Sequence, residues 1–383
     1  MSAPAVYFDH NATTALDPRV LEVMLPFLRT QHGNPTSRHS FGRTSRQAVE
    51  QAREQVAAAV GAHPSQVTFT SGGTEADNLA LLGIAMTHAP GQVAVGATEH
   101  PAVMRPAQTL QGKGWQLARI AVDMAGQLDL EQLDTVLRHK TALLSVMAAN
   151  NETGVMQDIA GIAQIAHRHG GLMHTDAVQA LGKIALDFGA MEVQAMSLSA
   201  HKINGPQGAG ALVLDKRVDI MPILYGGGQE KGLRSGTENI AAIVGFGMAC
   251  ELARQGLQQY SATTEALRDN LERGLEQLGA KIFGKQAMRL PNTSFFAFPD
   301  IEGETLVMAL DRKGFAVASG SACSSADPEP SHVLLAMGVA PELARGAVRV
   351  SLGANNTAAE VQSFLLVLEK ELLRLKQMTA MAV

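Results

Sequence analysis

Short apolar runs alternate with segments of helical periodicity from about residue 16 to residue 215. The runs with strand-like composition lie at 67–70, 92–97, 116–122, 142–148, 171–175, 195–199 and 208–214. Helical patterns separate many of these runs, for example at 75–86, 130–139 and 159–169. Apolar strands that alternate with helices are typical of a mostly parallel sheet covered on both faces. The pattern therefore predicts an α/β fold with a mostly parallel, seven-stranded sheet, and ligands of such sheets bind at the carboxyl ends of the strands.

The order of the elements changes after a glycine-rich break at 225–236, which precedes a long helical stretch ending near residue 278. The later elements are predicted as a strand, a helix, two strands and a terminal helix, at 292–298, 304–313, 315–318, 347–352 and 358–378. This order predicts a smaller α+β domain. We place the large domain at 14–257 and the small C-terminal domain at 258–383, joined by the N-terminal segment 1–13.

Composition and charge narrow the class of protein. Hydrophobic residues make up 46% of the chain and charged residues 17%, as in ordinary soluble enzymes. The 31 basic and 36 acidic residues give a net charge of −5 without a block of like charge, so we expect no nucleic acid partner and no membrane partner. Residues 1–10 lack the features of a secretory signal, and two cysteines cannot form a disulfide framework. These features predict a cytoplasmic protein in which an exposed thiol is a candidate for chemistry.

Three segments carry candidate chemistry, and the first is the sequence Thr-Ser-Gly-Gly-Thr-Glu at 70–75. It ends a predicted strand in a glycine turn that opens a helix. The free N–H groups and the positive end of the helix dipole make such a turn a binding site for phosphate. The segment does not fit the P-loop pattern, and a glycine turn before a helix is also an ordinary structural feature.

The second segment contributes a carboxylate and a lysine. Asp176 lies in His-Thr-Asp-Ala-Val-Gln at 174–179, and Lys202 ends Ser-Leu-Ser-Ala-His-Lys at 197–202. A lysine after a buried strand forms a Schiff base if its surroundings keep it unprotonated. A nearby carboxylate would hold a pyridine nitrogen protonated. The alternative is a lysine on an ordinary loop and an aspartate that caps a helix, but together with the phosphate-binding turn the pair favours pyridoxal 5'-phosphate as the cofactor.

The third segment, at 318–328, holds one of the two cysteines among small residues, with a glycine and a proline. A nucleophilic cysteine must be accessible and partly ionised, whereas a structural cysteine is buried and inert. Cys250 lies in an apolar helical pattern and fits the structural description. Cys323 fits the reactive one, although a chance cysteine in a loop would look the same. The spacing of the histidines is not typical of a metal site, so we expect no metal.

Taken together, the motifs closely resemble those of the NifS/IscS-type cysteine desulfurases, which are fold-type I pyridoxal-phosphate enzymes of the class V aminotransferase family. The matching stretches follow the family's order over nearly the whole chain, at 7–14, 33–35, 70–78, 98–100, 150–154, 174–179, 199–202, 234–239, 319–323 and 349–352. The sequence Ser-Gly-Ser-Ala-Cys at 319–323 is similar to the NifS/IscS group rather than the SufS group. Two departures are Ala200, where the family often has glycine, and a chain that ends soon after its last helix.

The resemblance implies a role for each candidate residue. Lys202 would bind the cofactor as a Schiff base and later take the Cα proton, Asp176 would pair with the pyridine nitrogen, and His100 would stack on the ring and assist proton transfer. Residues expected to bind the cofactor phosphate are Gly73, Thr74, Ser199 and His201. In a homodimer, Thr237 of the partner subunit would join them. Asn151 and Gln179 would contact the ring substituents, with Asn151 also near the substrate.

Arg349 would bind the substrate carboxylate, since a guanidinium grips a carboxylate through two parallel hydrogen bonds. The implied reaction converts L-cysteine to L-alanine and leaves the sulfur on Cys323 as a persulfide. That sulfur would pass to an acceptor or iron–sulfur scaffold protein, for iron–sulfur cluster assembly or other thiolation. The alternatives are a selenocysteine lyase or another pyridoxal-phosphate enzyme such as an aminotransferase, and a sulfur-handling or scaffold protein without turnover.

Overall fold

The computed structural model describes residues 5–320 and 329–381. The strands in this part of the chain are β1 (Val6–Tyr7), β2 (Val67–Thr70), β3 (Gln92–Gly96), β4 (Gln116–Ile120), β5 (Thr141–Ser145), β6 (Leu172–Asp176), β7 (Ala195–Ser199), β8 (Gly210–Leu214), β9 (Lys281–Ile282), β10 (Thr293–Ala297), β11 (Phe315–Ala316), β12 (Ala318–Ser319) and β13 (Ala347–Ser351). The α-helices are α1 (Pro18–Arg29), α2 (Ser40–Ala59), α3 (Gly73–Ala85), α4 (Pro101–Gln111), α5 (Leu130–Leu137), α6 (Ile159–Arg168), α7 (Ile240–Gln277), α8 (Gly303–Asp311), α9 (His332–Ala336), α10 (Pro341–Arg345) and α11 (Ala358–Met381).

The central sheet has seven strands in the order β2-β8-β7-β6-β5-β3-β4. Strand β8 runs antiparallel to both of its neighbours, and the other pairs are parallel. One apolar cluster packs α3 and α4 against the sheet, and another packs α2, α6 and α7. Because both faces are covered, β3, β7 and β8 are buried along their whole length. The predicted α/β fold with a mostly parallel seven-stranded sheet is confirmed.

Helix α4 and the segment at 315–318 are among the parts of the fold that differ from the sequence-based expectation. Helix α4 was not predicted, since Pro101 and Pro106 obscure its pattern, yet Pro101 stands at the first helical position, where a missing N–H costs little. The single strand predicted at 315–318 is wrong. The segment forms two short strands in different sheets, because β11 pairs with β1 while β12 pairs with β13.

A smaller antiparallel sheet, in the order β12-β13-β10-β9, packs against α8, α11 and the second half of α7. Its apolar cluster is rich in phenylalanine, and Phe8 from the N-terminal segment joins it through an edge contact with Phe364, with ring centroids 5.7 Å apart. The N-terminal segment therefore packs with the C-terminal part of the chain. Helix α7 passes the expected boundary at 257/258 without a break, and the division into two domains stays a prediction.

Helix α7 is long and apolar enough to cross a membrane, judged by length and composition alone. In its most apolar stretch, 44% is buried inside the protein. Phe246 and Cys250 on this helix are buried in the core that α7 shares with α2. A core helix of a globular protein passes the same test. We therefore describe α7 as a core helix.

Candidate active site

Four neighbouring strands end at one edge of the central sheet and supply most of the candidate residues. Because β3, β5, β6 and β7 are parallel, the segments that follow them lie together, and these contain His100, Asn151, Asp176 and Ser199–Lys202. Residues 9–14 of the N-terminal segment and Arg349 of β13 approach the same place. The structure thus brings together residues that are far apart in the sequence.

Lys202 ends the short 3-10 turn that follows β7. Its Nζ donates to the backbone oxygen of Asn11 at 2.5 Å and to that of Ala12 at 2.8 Å. Burial, together with the charge of Arg349, lowers the pKa of Lys202 to about 8, although Asp176 partly opposes this shift. A lysine with such a pKa is partly neutral at physiological pH, so it can act as a nucleophile or a base.

Asp176 is the last residue of β6, and its Oδ1 accepts a hydrogen bond from the backbone N–H of Val178 at 2.9 Å. Burial raises the pKa of this carboxyl to about 6, against the effects of the Val178 N–H and of Lys202. A buried carboxylate of this kind gains from a cationic partner. Asp176 therefore suits the role of binding a protonated ring nitrogen.

A layer of buried polar residues lies beside Asp176, and the sequence reasoning gave it no role. His174 precedes Asp176 by two residues on the same face of β6, and its ring nitrogens bond to Ser145 Oγ at 2.8 Å and Ser197 Oγ at 2.9 Å. Asp77 Oδ1 lies 3.6 Å from His174 Nε2. Burial and the neighbouring Asp176 raise the pKa of the Asp77 carboxyl well above its usual range. The motifs at 70–78 and 174–179 contained these residues, but burial was the missing signal.

The expected phosphate site lies at the start of α3. A Cβ on Gly73 would lie 2.7 Å from Val178 Cγ2 and 3.6 Å from the Cβ of Ser199, so the first turn of the helix comes close to Ser199. Ser199 Oγ is buried and has no hydrogen-bond partner in the described part of the chain. An unpaired hydroxyl beside free N–H groups of a helix N-terminus can bind an anion. Thr74 is exposed in the same turn.

Two histidines near Lys202 have lowered pKa values. His100 caps α4, and its Nδ1 accepts from the backbone N–H of Ala102 at 3.1 Å, which leaves Nε2 to carry the proton. Burial, with Lys202 and His332, lowers the pKa of His100 to about 4. His201 bonds to Thr13 Oγ1 at 3.2 Å, and burial also lowers its pKa to about 4. Both rings are therefore neutral at physiological pH.

Arg349 lies in β13 and is held from two sides. Its Nη1 donates to the backbone oxygen of Asn151 at 2.9 Å, and its Nη2 pairs with Asp9 Oδ1 at 2.7 Å. Its Nε is buried and has no partner among the described residues. The guanidinium is thus fixed in direction and keeps an unused donor, while Asp9 is a partner that sequence reasoning missed.

Asn11 connects several of these residues. Its side chain donates to the backbone oxygen of Asn151 at 3.1 Å, and its own backbone oxygen accepts from Gln179 Nε2 at 2.9 Å. Lys183 Nζ donates to Asn11 Oδ1 at 2.9 Å. Asn151 enters the site through its backbone oxygen, so a contact of its side chain with a ligand stays a prediction.

Two expected residues remain to be placed. Thr237 is exposed in the loop before α7, and its contribution to a partner's site stays a prediction. Cys323 lies outside the described residues. Cys250 is fully buried in α7, and burial raises the pKa of its thiol far above the usual value, which makes it a structural cysteine.

Residues 6–364 match the family described as aminotransferase class-V. The chain belongs to this family. It is similar to a cysteine desulfurase of Gluconacetobacter diazotrophicus, with 43% identity over 98% of the chain and 95% of the relative. It is also similar to a cysteine desulfurase IscS of Dictyoglomus turgidum, with 41% identity over 97% and 95%. A solved structure described as a NifS-like protein superposes with a TM-score of 0.91 at 41% identity, covering 96% of the chain and 99% of that structure. The resemblance to NifS/IscS-type enzymes is confirmed.

Proposed function

We propose that this chain is a pyridoxal-phosphate-dependent cysteine desulfurase that converts L-cysteine to L-alanine and transfers the sulfur to Cys323 as a persulfide. The observation that carries the proposal is the environment of Lys202. Its amine is partly buried and partly neutral, and its charge interacts with both Asp176 and Arg349. One reactive amine is thus within electrostatic reach of a carboxylate suited to a ring nitrogen and of a guanidinium suited to a substrate carboxylate.

The residues present fit the cofactor. The start of α3 and the unpaired Ser199 Oγ match the phosphate, and Asp176 matches the pyridine nitrogen. When bound, pyridoxal 5'-phosphate supplies an electron sink that stabilises negative charge at the Cα of an amino acid. Gln179 and Asn151 are proposed beside the ring substituents, Thr74 and His201 beside the phosphate, and Thr237 of the partner subunit would complete that site.

The chain's own residues then divide the work of the reaction. Arg349 binds and orients the carboxylate of L-cysteine, for which its buried Nε offers an unused donor. Lys202, when neutral, takes the proton from Cα. His100 is neutral and presents Nε2–H, so it can donate a hydrogen bond without adding a positive charge. The thiolate of Cys323 attacks the substrate sulfur and forms an S–S bond, while the Cβ–S bond of the substrate breaks, leaves its electron pair on Cβ, and Cβ takes up a proton to give alanine. An acceptor or iron–sulfur scaffold protein would later receive the outer sulfur of the Cys323 persulfide.

The test is incubation of the purified protein with pyridoxal 5'-phosphate and L-cysteine, measuring alanine, sulfide and keto acid together. With dithiothreitol present, which reduces the persulfide and releases its outer sulfur, equal amounts of alanine and sulfide are expected. Without dithiothreitol, the protein should carry the persulfide. A keto acid in place of alanine would identify an aminotransferase. Turnover of L-selenocysteine without turnover of L-cysteine would identify a selenocysteine lyase. A protein that binds no cofactor and turns over neither amino acid would overturn the proposal.

A further inference from the structure

Lys183 is a buried lysine to which none of these roles applies. It lies in the turns that follow β6, and its exposure is 2%. Its Nζ donates to Gln179 Oε1 at 2.6 Å and to Asn11 Oδ1 at 2.9 Å. The charged groups that act on it, Lys202 and Arg349, are both basic. A lysine buried at this cost requires an explanation.

Backbone carbonyls show which end of each carboxamide in contact with Lys183 is the nitrogen. Gln179 Nε2 donates to the backbone oxygen of Asn11, and Asn11 Nδ2 donates to the backbone oxygen of Asn151. A carbonyl oxygen only accepts, so each amide turns its nitrogen to that carbonyl and its oxygen towards Lys183. Asn11 Oδ1 accepts a second hydrogen bond, from Asn292 Nδ2 at 3.1 Å. Gln179 Oε1, in contrast, depends on Lys183 as its donor among the described residues.

The two acceptors match the two N–H groups of a neutral amine. Burial lowers the pKa of Lys183 well below its usual value, and the charges of Lys202 and Arg349 act in the same direction. His10 and His201 are within electrostatic range of Lys183, and a charge on it would lower their pKa values. A neutral amine satisfies both amide oxygens and adds no charge beside these bases.

We propose that Lys183 is a positioning residue that ties the N-terminal segment to Gln179 and so orients the carboxamide beside the cofactor. The inference rests on the proposed function, because it assigns a direction to the amide expected to contact the ring. The backbone oxygen of Asn11 accepts from both Gln179 Nε2 and Lys202 Nζ, so the oriented amide lies next to the reactive lysine. Without Lys183, Gln179 Oε1 would lose this buried donor, and the amide would be held only at Nε2, by the backbone oxygen of Asn11, so its orientation would be less tightly fixed.

A double-mutant cycle tests the orienting role. Lys183→Met keeps the length of the side chain without a donor, Lys183→Gln keeps N–H donors, and Gln179→Leu removes the target. The measured quantities are the dissociation constant of pyridoxal 5'-phosphate and the pH midpoint of the visible absorbance of the bound cofactor. Lys183→Met should weaken cofactor binding about tenfold and shift the midpoint, since a buried hydrogen bond is lost. Lys183→Gln should recover part of both.

In the Gln179→Leu background, the further effect of Lys183→Met should fall to less than about twofold, because coupled residues are not additive. An effect of the same size in both backgrounds would overturn the orienting role. If Lys183→Met does not fold, Lys183→Leu, which also lacks a donor, takes its place in the cycle and in the exchange measurement, and Lys183→Gln stays the donor-keeping control.

The tie to the N-terminal segment can be measured in the apoenzyme, without cofactor or activity. The buried N–H of Asn11 donates to Ser351 Oγ at 2.9 Å and reports on this segment. Lys183→Met should speed hydrogen exchange there on the order of tenfold, with little change in α6. Equal exchange in the wild type and the variant would disprove the tie. A wild type that fails to bind the cofactor would instead refute the proposed function, while the exchange result would still decide this point.

Discussion

The apoenzyme should become more stable when Lys202 is replaced by methionine, although the substitution removes the central residue of the site. Burial lowers the pKa of Lys202 from 10.5 to about 8. Each pKa unit corresponds to about 1.4 kcal/mol, so the wild type loses about 3 kcal/mol of stability when this lysine is protonated in both states. Methionine has a similar length and no charge, and it avoids this cost.

Part of the gain is offset by hydrogen bonds. The substitution removes the hydrogen bond from Lys202 Nζ to the backbone oxygen of Ala12. The backbone oxygen of Asn11 keeps its hydrogen bond from Gln179. An unsatisfied carbonyl costs about 1 kcal/mol here. The variant should therefore be more stable than the wild type by about 2 kcal/mol at pH 7.

The pH dependence gives the sign of the effect. Above about pH 8 the folded wild type releases the Lys202 proton while the unfolded chain keeps it up to about pH 10.5, so the unfolded state binds more protons and wild-type stability rises with pH. The advantage of Lys202→Met is full below pH 8 and should disappear before pH 10.5. Urea unfolding of both apoenzymes at equal protein concentration, from pH 6.5 to 10, measures the difference. The exposed Lys216→Met serves as the matched control. A constant difference across this range would refute the reasoning.

Three further predictions concern the reaction and the assembly. Cys323→Ser should still bind the cofactor but release no alanine. Cys250→Ala should behave as the wild type in the same assays. Mass spectrometry that finds the transferred sulfur on Cys250 would contradict the assignment of Cys323. Arg349→Lys should raise the KM for L-cysteine roughly tenfold with a smaller change in kcat, because lysine cannot form two parallel hydrogen bonds to a carboxylate, and unchanged kinetics would exclude that role. The protein should be an obligate homodimer because Thr237 is expected to act in the partner's site, and sedimentation of a fully active monomer would disprove this.

Residues that are close in the sequence or follow a buried strand could be predicted from the sequence. Lys202 and Asp176 each follow or end an apolar strand, and the order of parallel strands brings their side chains to one edge of the sheet. Central strands such as β3, β7 and β8 were clear because both of their faces are buried, which makes their composition mostly apolar. Helix α4 escaped because a proline at its first position and another inside it obscure the periodicity.

The partners of the site residues could not be predicted in the same way. Lys183 and Asn11 are separated by 172 residues and meet through long-range packing, in which Asn11 also bonds to Ser351 and Thr293 of the smaller sheet. Nothing in the sequence distinguishes a buried lysine from an exposed one. Because lysine is rarely buried, exposure is the default expectation for any lysine. Asp9 was part of a recognised motif, but its ion pair with Arg349 depends on the same long-range packing.

The distribution of charge across the site explains why one ligand with two different ends suits it. One set consists of basic groups whose pKa values burial lowers, among them Lys202, His201 and Lys183. The other set consists of Asp77 and Asp176, whose pKa values burial raises. Neither set can carry its full charge without a partner, since each removes ions from water. A molecule that places anionic oxygens near the bases and a cationic nitrogen near Asp176 compensates both sets at once. In the free protein, both sets of groups are therefore partly uncharged. Binding of such a ligand should be coupled to changes in the protonation of both sets. Calorimetry in buffers of different ionisation enthalpy would measure these changes.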